Sequence, residues 1–203
     1  MAFKLLLISP PEESPSELPI LLRLFEAGLA LFHLRKPEWS EAKLAEYLRA
    51  VPVPLHAHIV LHSHYALAER YALHGLHLPA RSRLRWQPSL RQPGLTLSTS
   101  FHAVKEVQQH RRRYDYVTLS PIFDSVSKVG YSSTFDLGAL QKALQQLQRR
   151  AHYPPQVIAL GGITADTISA TQEAGFAGAA VLGAVWQAPD PVAAFQAIQS
   201  KIG

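Results

Sequence analysis

Short apolar runs of strand length alternate with helical patterns along the whole 203-residue chain, about eight times over. The runs are Phe3–Ile8, Leu29–Leu34, Pro54–Leu61, Gly75–Leu78, Leu95–Ser98, Tyr116–Leu119, Gln156–Leu160 and Gly178–Leu182. They read as strands buried on both faces, which is what parallel sheets require. Helical spacing fills the gaps. Leu18, Leu21, Leu22 and Phe25 make one stripe over Pro15–Ala27, which Gly28 closes. Ser40 is the N-cap candidate for a helix with Leu44, Tyr47 and Leu48 on its apolar face. Further helices are predicted over Tyr65–Leu73, from about His102 to His110, from the cap Asp136 to Arg149, from the cap Thr164 to Ala174, and over Pro191–Ile202. Arg81–Pro93 reads as irregular or as a short helix. Even spacing, no long crossover and glycine turns after the last two strands favour a single (β/α)8 barrel over residues 1–203. An open doubly wound sheet is the alternative.

Composition excludes several kinds of chemistry. There is no cysteine, so disulfides, thiolate zinc sites and cysteine nucleophiles are ruled out. The apolar run ending at Pro10-Pro11 is too short to span a membrane and reads as the buried first strand of a cytoplasmic protein. The formal charge is +5. The cations are scattered apart from Arg81–Arg85 and Arg111–Arg113, so a basic mouth for a phosphorylated substrate is preferred to nucleic-acid binding.

In such barrels chemistry sits at the carboxyl ends of the strands. Strand two ends in His33, Arg35 and Lys36, strand three near His62-Ser63-His64, strand four near His77, and strand five is followed by His102. Strand six breaks at Ser120-Pro121, because proline cannot donate to a sheet ladder. The stretch beyond carries Ser125, Ser127, Lys128 and Gly130, whose hydroxyls and ammonium suit an anionic, oxygen-rich ligand. Strands seven and eight end at Gly161-Gly162 and Gly183-Ala184, where bare backbone lets amides approach phosphate. A plain tight turn also accounts for Gly161-Gly162. His56, His58 and His62 would share one face of an extended strand. Only His62 lies near the catalytic end and no carboxylate accompanies the group, so no metal site is assigned. His77, between leucines, reads as a hydrogen-bonded histidine of the barrel interior.

The chain resembles the thiamine-phosphate synthase family, which includes the TenI-type thiazole tautomerases. The likeness rests on Leu34-Arg35-Lys36, Gly75-Leu-His-Leu78, Ser100–Glu106, Ser120-Pro-Ile-Phe123, Ser125-Val-Ser-Lys128, Ala159–Ile163 and Gly178–Gly183. It implies the barrel fold and one of two reactions. A synthase joins aminopyrimidine pyrophosphate to hydroxyethylthiazole phosphate with the help of magnesium. A tautomerase isomerises a carboxylated thiazole phosphate by proton transfer without a metal. By the resemblance, Arg35 and Lys36 match a pyrophosphate-binding pair, and Ser125, Ser127 and Lys128 a phosphate-contacting loop. Gly162 with Gly183-Ala184 matches a thiazole-phosphate cradle.

The departures are specific. Where the synthases carry Asn-Asp after strand three, this chain has His62-Ser63. Where they carry Gly-Gln-x-Asp after strand four, it has Pro79-Ala-Arg-Ser82. Both magnesium-side aspartates are absent from those positions, and a serine hydroxyl is a poor substitute. Arg35-Lys36 is one residue tighter than the family's Arg-x-Lys, so Lys36 need not point where the family's lysine does. Arg81 is a candidate replacement for part of that charge. The position of the tautomerase histidine corresponds to Pro121, so an isomerase would need another base. His62, His33 and His102 are the candidates, with His62 first because it replaces a metal-side position. The expectation is therefore tautomerase-like, with no cofactor, and with Mg2+ only under the synthase reading. A non-catalytic phosphate-binding or regulatory barrel is the further alternative. The expected partner is a small phosphorylated substrate, with no nucleic acid and no membrane; a homo-oligomer stays open.

Overall fold

The structure, a computed structural model, describes residues 3–83, 94–124, 135–150 and 153–203, with the main chain alone at 81 and 82. Its parallel strands close in sequence order into an eight-stranded barrel. They are β1 (Lys4–Ile8), β2 (Leu31–Leu34), β3 (Ile59–Leu61), β4 (Gly75–Leu78), β5 (Thr96–Phe101), β6 (Tyr116–Leu119), β7 (Val157–Leu160) and β8 (Gly178–Val181). Around them run α1 (Glu17–Glu26), α2 (Glu41–Ala50), α3 (Ala66–Arg70), α4 (Ala80–Arg83), α5 (Val104–Gln109), α6 (Leu137–Gln148), α7 (Ile168–Glu173), α8 (Gly183–Trp186) and α9 (Pro191–Gln199). The sequence's alternation thus produces the (β/α)8 barrel. Among the described residues no helix is long and apolar enough to cross a membrane.

The outer core lies between sheet and helices. Leu21 and Leu24 of α1, Leu44 and Leu48 of α2, and Leu140, Leu144 and Leu147 of α6 all bury there. Each leucine so buried contributes about 1.5–3 kcal/mol. Side chains set the helix starts as the sequence suggests. Ser40 Oγ accepts from the Lys43 N–H at 3.3 Å, and Asp136 Oδ1 accepts from the Ala139 N–H at 2.7 Å.

Several boundaries differ from the sequence reading. Val53–His58 is a 3-10 helix, and β3 keeps only Ile59–Leu61 of the strand expected from Pro54. Pro52 and Pro54 fix φ near the helical value and cannot donate to a ladder, so this segment turns before it extends. The face that His56, His58 and His62 would share does not form. The His56 ring nitrogens instead face the carbonyls of Tyr71, Leu48 and Val51, and His58 Nδ1 faces that of Ala30. At α7 the chain makes a turn over Thr164–Thr167 first, and helix begins at Ile168. The last helix stops at Gln199, three residues short of Ile202.

The barrel interior is divided. Strand alternation sends Leu6, Ile8, Leu31, Val60, Ile158 and Ala180 inward as an apolar cluster, with Tyr116 at its edge. Nearer the carboxyl ends of β2 to β6 the inward positions are polar. The register pairs His77 with Ser98, Ser98 with Tyr116, and Ser100 with Thr118. This one-sided polarity marks the carboxyl end as the candidate site.

Candidate active site

Three histidines from adjacent strands meet inside the mouth. His33 is the third residue of β2, His62 follows β3, and His77 is the third residue of β4. The His62 N–H donates to the Leu34 carbonyl at 3.3 Å, and Leu61 pairs with Leu76, so His62 and His77 are level. Their rings stack with centroids 4.3 Å apart and 21° between planes. His33 Nδ1 lies 2.9 Å from His62 Nε2, and His33 Nε2 lies 2.7 Å from the Tyr116 hydroxyl. His77 Nδ1 is 2.9 Å from Ser98 Oγ, and its Nε2 is 2.8 Å from Ser100 Oγ.

The protons in this network can be followed. Ser98 Oγ donates to the Leu76 carbonyl at 3.2 Å, so its single hydrogen is spent and it accepts from the Nδ1–H of His77. Thr118 Oγ1 donates to Ser100 Oγ at 3.0 Å, which leaves the Ser100 hydrogen for His77 Nε2. The lone pair of His77 is therefore on Nε2. The Tyr116 hydroxyl lies 2.7 Å from His33 Nε2, and either group can be the donor.

Burial keeps the cluster neutral. It pushes His33 and His62 well below the usual imidazole range, with neighbouring rings adding to the effect and Arg35 adding at His62. His77 falls to about 3, from burial first and Arg35 second. Removing a cation from water is costly, and here no carboxylate repays it.

A pocket of about 330 Å³ opens above His62, lined also by Arg35, Lys36, Pro37, Ser63, Pro79 and Ala80. The two cations of its rim differ. Arg35 is exposed, and its main chain is pinned to Ser9 Oγ, which accepts from the Arg35 N–H at 2.8 Å and donates to its carbonyl at 3.0 Å. Lys36 turns its ammonium inward. Nζ donates to the Pro10 and Glu12 carbonyls, each at 2.7 Å, and to Glu17 Oε2 at 2.5 Å, with the side chain fully buried. All three ammonium donors are used. The shortened Arg-Lys spacing thus separates the pair: one cation faces the mouth and the other ties the β1 and β2 loops together.

The remaining candidates lie around the rim. His102 is exposed and points to β6, with Nδ1 3.2 Å from the Ser120 carbonyl, outside the histidine cluster. Gly161 and Gly162 have φ of +95° and +65°. A Cβ at Gly162 would come within 2.5 Å of the Asp124 carbonyl, so this turn is glycine partly to let the segment after β6 pack onto it. Gly183 and Ala184 open α8 directly after β8. Ser125, Ser127 and Lys128 fall outside the described residues, as does the side chain of Arg81.

The sequence reading picked out His33 and His62 and left Tyr116, Ser98, Ser100 and Glu17 unassigned. His77 is the hydrogen-bonded interior histidine expected, and it is also the third member of the cluster. Position parity would have found it, because the three histidines share the inward side of consecutive strands.

A magnesium ion fits this mouth poorly. The pocket lining offers imidazole, guanidinium and hydroxyl groups, whereas magnesium is held by hard carboxylate oxygens.

The chain is a (β/α)8 barrel, the class of fold whose chemistry sits at the carboxyl ends of the strands. Comparison with known proteins makes the class particular. The thiamine monophosphate synthase family model matches residues 5–185, and the chain belongs to that family. It is 28% identical over 191 residues to the thiamine-phosphate synthase of Latilactobacillus sakei, covering 88% of this chain and 82% of the relative. A thiamine phosphate pyrophosphorylase from Bacteroides thetaiotaomicron superimposes with a TM-score of 0.82 at 32% identity, over 98% of this chain and 97% of that one. The Pyrococcus furiosus thiamine phosphate pyrophosphorylase shares the fold, with a TM-score of 0.76 at 18% identity over 98% and 95% of the two chains. The chain is thus placed in an enzyme family of thiamine biosynthesis.

Proposed function

We propose that this barrel binds a hydroxyethylthiazole phosphate-type ligand at its mouth and isomerises it by proton transfer, without magnesium. The observation that carries the reading is the composition of the pocket: His62 stands beside Arg35, and no carboxylate is among the described lining residues. Arg35 supplies the charge for the phosphate, with the Gly161-Gly162 and Gly183-Ala184 turns as the cradle. Ser125, Ser127 and Lys128 are further phosphate contacts on this reading. His62 is the base, His33 its partner, and His102 is left at the rim.

Isomerisation takes a proton from one atom of the ligand and returns one to another. A neutral imidazole suits this, because one ring nitrogen accepts while the other donates. His62 Nε2 is 2.9 Å from His33 Nδ1, and His33 continues to Tyr116. His62 takes a proton from one ligand atom and returns it to another, with His33 holding its ring in place, and burial and Arg35 both disfavour a lasting imidazolium.

The test supplies the carboxylated thiazole phosphate tautomer to the purified protein, with and without a chelator. Turnover indifferent to the chelator is expected. His62→Gln should lower kcat by about 10²–10⁴-fold, the usual worth of a positioned base. Full activity in that variant removes His62 from the mechanism.

A synthase reading is favoured by the names of the relatives, which are thiamine-phosphate synthases. Aminopyrimidine pyrophosphate and thiazole phosphate, supplied with and without Mg2+, test it directly. Magnesium-dependent formation of thiamine phosphate would replace the isomerase reading. Tight phosphate-ligand binding with neither turnover would make the barrel a non-catalytic binder.

A further inference from the structure

The geometry points to a zinc-class metal site formed by His33, His62 and His77, inside the mouth. One ring nitrogen of each lies within 4.8 Å of the other two, and this is the one such group among the described residues. Three imidazoles with no carboxylate select Zn2+ and its d-block neighbours over Mg2+ or Ca2+. Tetrahedral coordination at about 2.0–2.1 Å from each nitrogen needs nitrogens about 3.3 Å apart. His33 Nδ1 and His62 Nε2 are at 2.9 Å, so one pair needs only to open slightly while His77 swings in.

The second shell has the form that zinc histidines use. A ligating imidazole normally gives its other N–H to a fixed acceptor, which sets the tautomer and aims the lone pair. Ser98 does this for His77 Nδ1, and Tyr116 stands 2.7 Å from His33 Nε2. The three ligands come from neighbouring strands locked in register, so the frame is rigid. His62 borders the pocket, which leaves the fourth position open to water or to an anion beside Arg35. On the isomerase reading, the ion would occupy the lone pair that proton transfer needs. Zinc would then inhibit turnover, and that consequence alone rests on the reading.

The full-length protein, stripped with chelator, is titrated with Zn2+ against a chromophoric zinc chelator. One equivalent should be withdrawn from the dye. His33→Gln and His77→Gln should each weaken that uptake by more than about 100-fold, and Ser98→Ala by about 10–100-fold through loss of the second shell. No uptake by the wild type, or uptake unchanged in His77→Gln, overturns the site and leaves a closed hydrogen-bonded histidine cluster. Where a variant fails to fold, Co2+ added to the wild type decides. Intense visible bands of a four- or five-coordinate ion support the site, and the pale spectrum of the hydrated ion overturns it. Neither measurement depends on turnover, so failure of the isomerase reading leaves both intact.

Discussion

Two buried polar clusters flank the loop that carries Arg35 and Lys36, and they accommodate burial in opposite ways. Below the loop, Lys36 and Glu17 keep opposite charges, with every ammonium donor matched and Tyr47 donating to the other carboxylate oxygen at 3.2 Å. Within the barrel, His33, His62 and His77 discard charge and share neutral hydrogen bonds. The charged cluster is closed, since moving any member strands another in low dielectric. The neutral one can exchange protons or partners without creating a buried ion. That contrast explains why adjacent cations in sequence sit in different surroundings, Lys36 buried against Glu17 and Arg35 exposed at the mouth.

Acid should separate the two clusters most strongly. The three histidines have folded pKa values depressed from 6.5, so their contribution is present above that value and is lost as pH falls below it. The unfolded chain then binds up to three protons that the folded one refuses, at about 1.4 kcal/mol per histidine per pH unit. The loss should set in below pH 6.5 and grow as the pH falls further. His74 and His110, also lowered by burial, add with the same sign. Glu17 opposes them: burial raises its pKa above 4.5, although Lys36 and Tyr47 pull the other way. Its contribution is present below 4.5 and lost as pH rises through the folded value. One carboxyl cannot offset three histidines, so stability measured by urea unfolding should fall steeply with acid. The double variant His33→Gln/His77→Gln should flatten that slope, and an unchanged slope would break the contrast.

The closed cluster is tested next. Lys36→Met leaves Glu17 buried without its cation, which should cost about 3–5 kcal/mol in the urea midpoint at neutral pH. Adding Glu17→Gln should recover part of the loss, because the stranded charge goes. If Lys36→Met instead left stability intact and weakened phosphate binding, Lys36 would belong to the mouth and the division between the clusters would fail.

Much of this frame was legible in the chain, and the reasons differ by feature. The strands were readable because burial on both faces leaves long runs of leucine, isoleucine and valine, as in Lys4–Ile8 and Val157–Leu160. The segment before β3 misled because alternating histidines and apolar residues imitate a strand, while Pro52 and Pro54 decide for a turn. The inward direction of His33 and His62 follows from strand alternation once a barrel is assumed. What no local pattern announces is Lys36 reaching Glu17, 19 residues earlier. That pairing depends on how the loop after β2 packs against the start of α1. Nor does sequence show that Ser98 spends its hydrogen on Leu76, the detail that assigns the tautomer of His77.

The smallest expected change in stability comes from the neighbour of Lys36. Arg35 is exposed and its main chain, rather than its guanidinium, is what Ser9 holds. Arg35→Gln should therefore alter the urea midpoint by no more than about 0.5 kcal/mol, as for other surface sites. Its effect belongs elsewhere. Loss of a charge-assisted contact of about 1.5–3 kcal/mol should weaken binding of thiazole phosphate by roughly 10–100-fold, read by calorimetry. The same substitution lifts the repulsion that Arg35 exerts on protonated His62 and His77. Both rings should then titrate higher, by NMR, while their burial still holds them below 6.5. A large loss of stability with phosphate affinity intact would reverse the assignment, making Arg35 the structural cation of the loop.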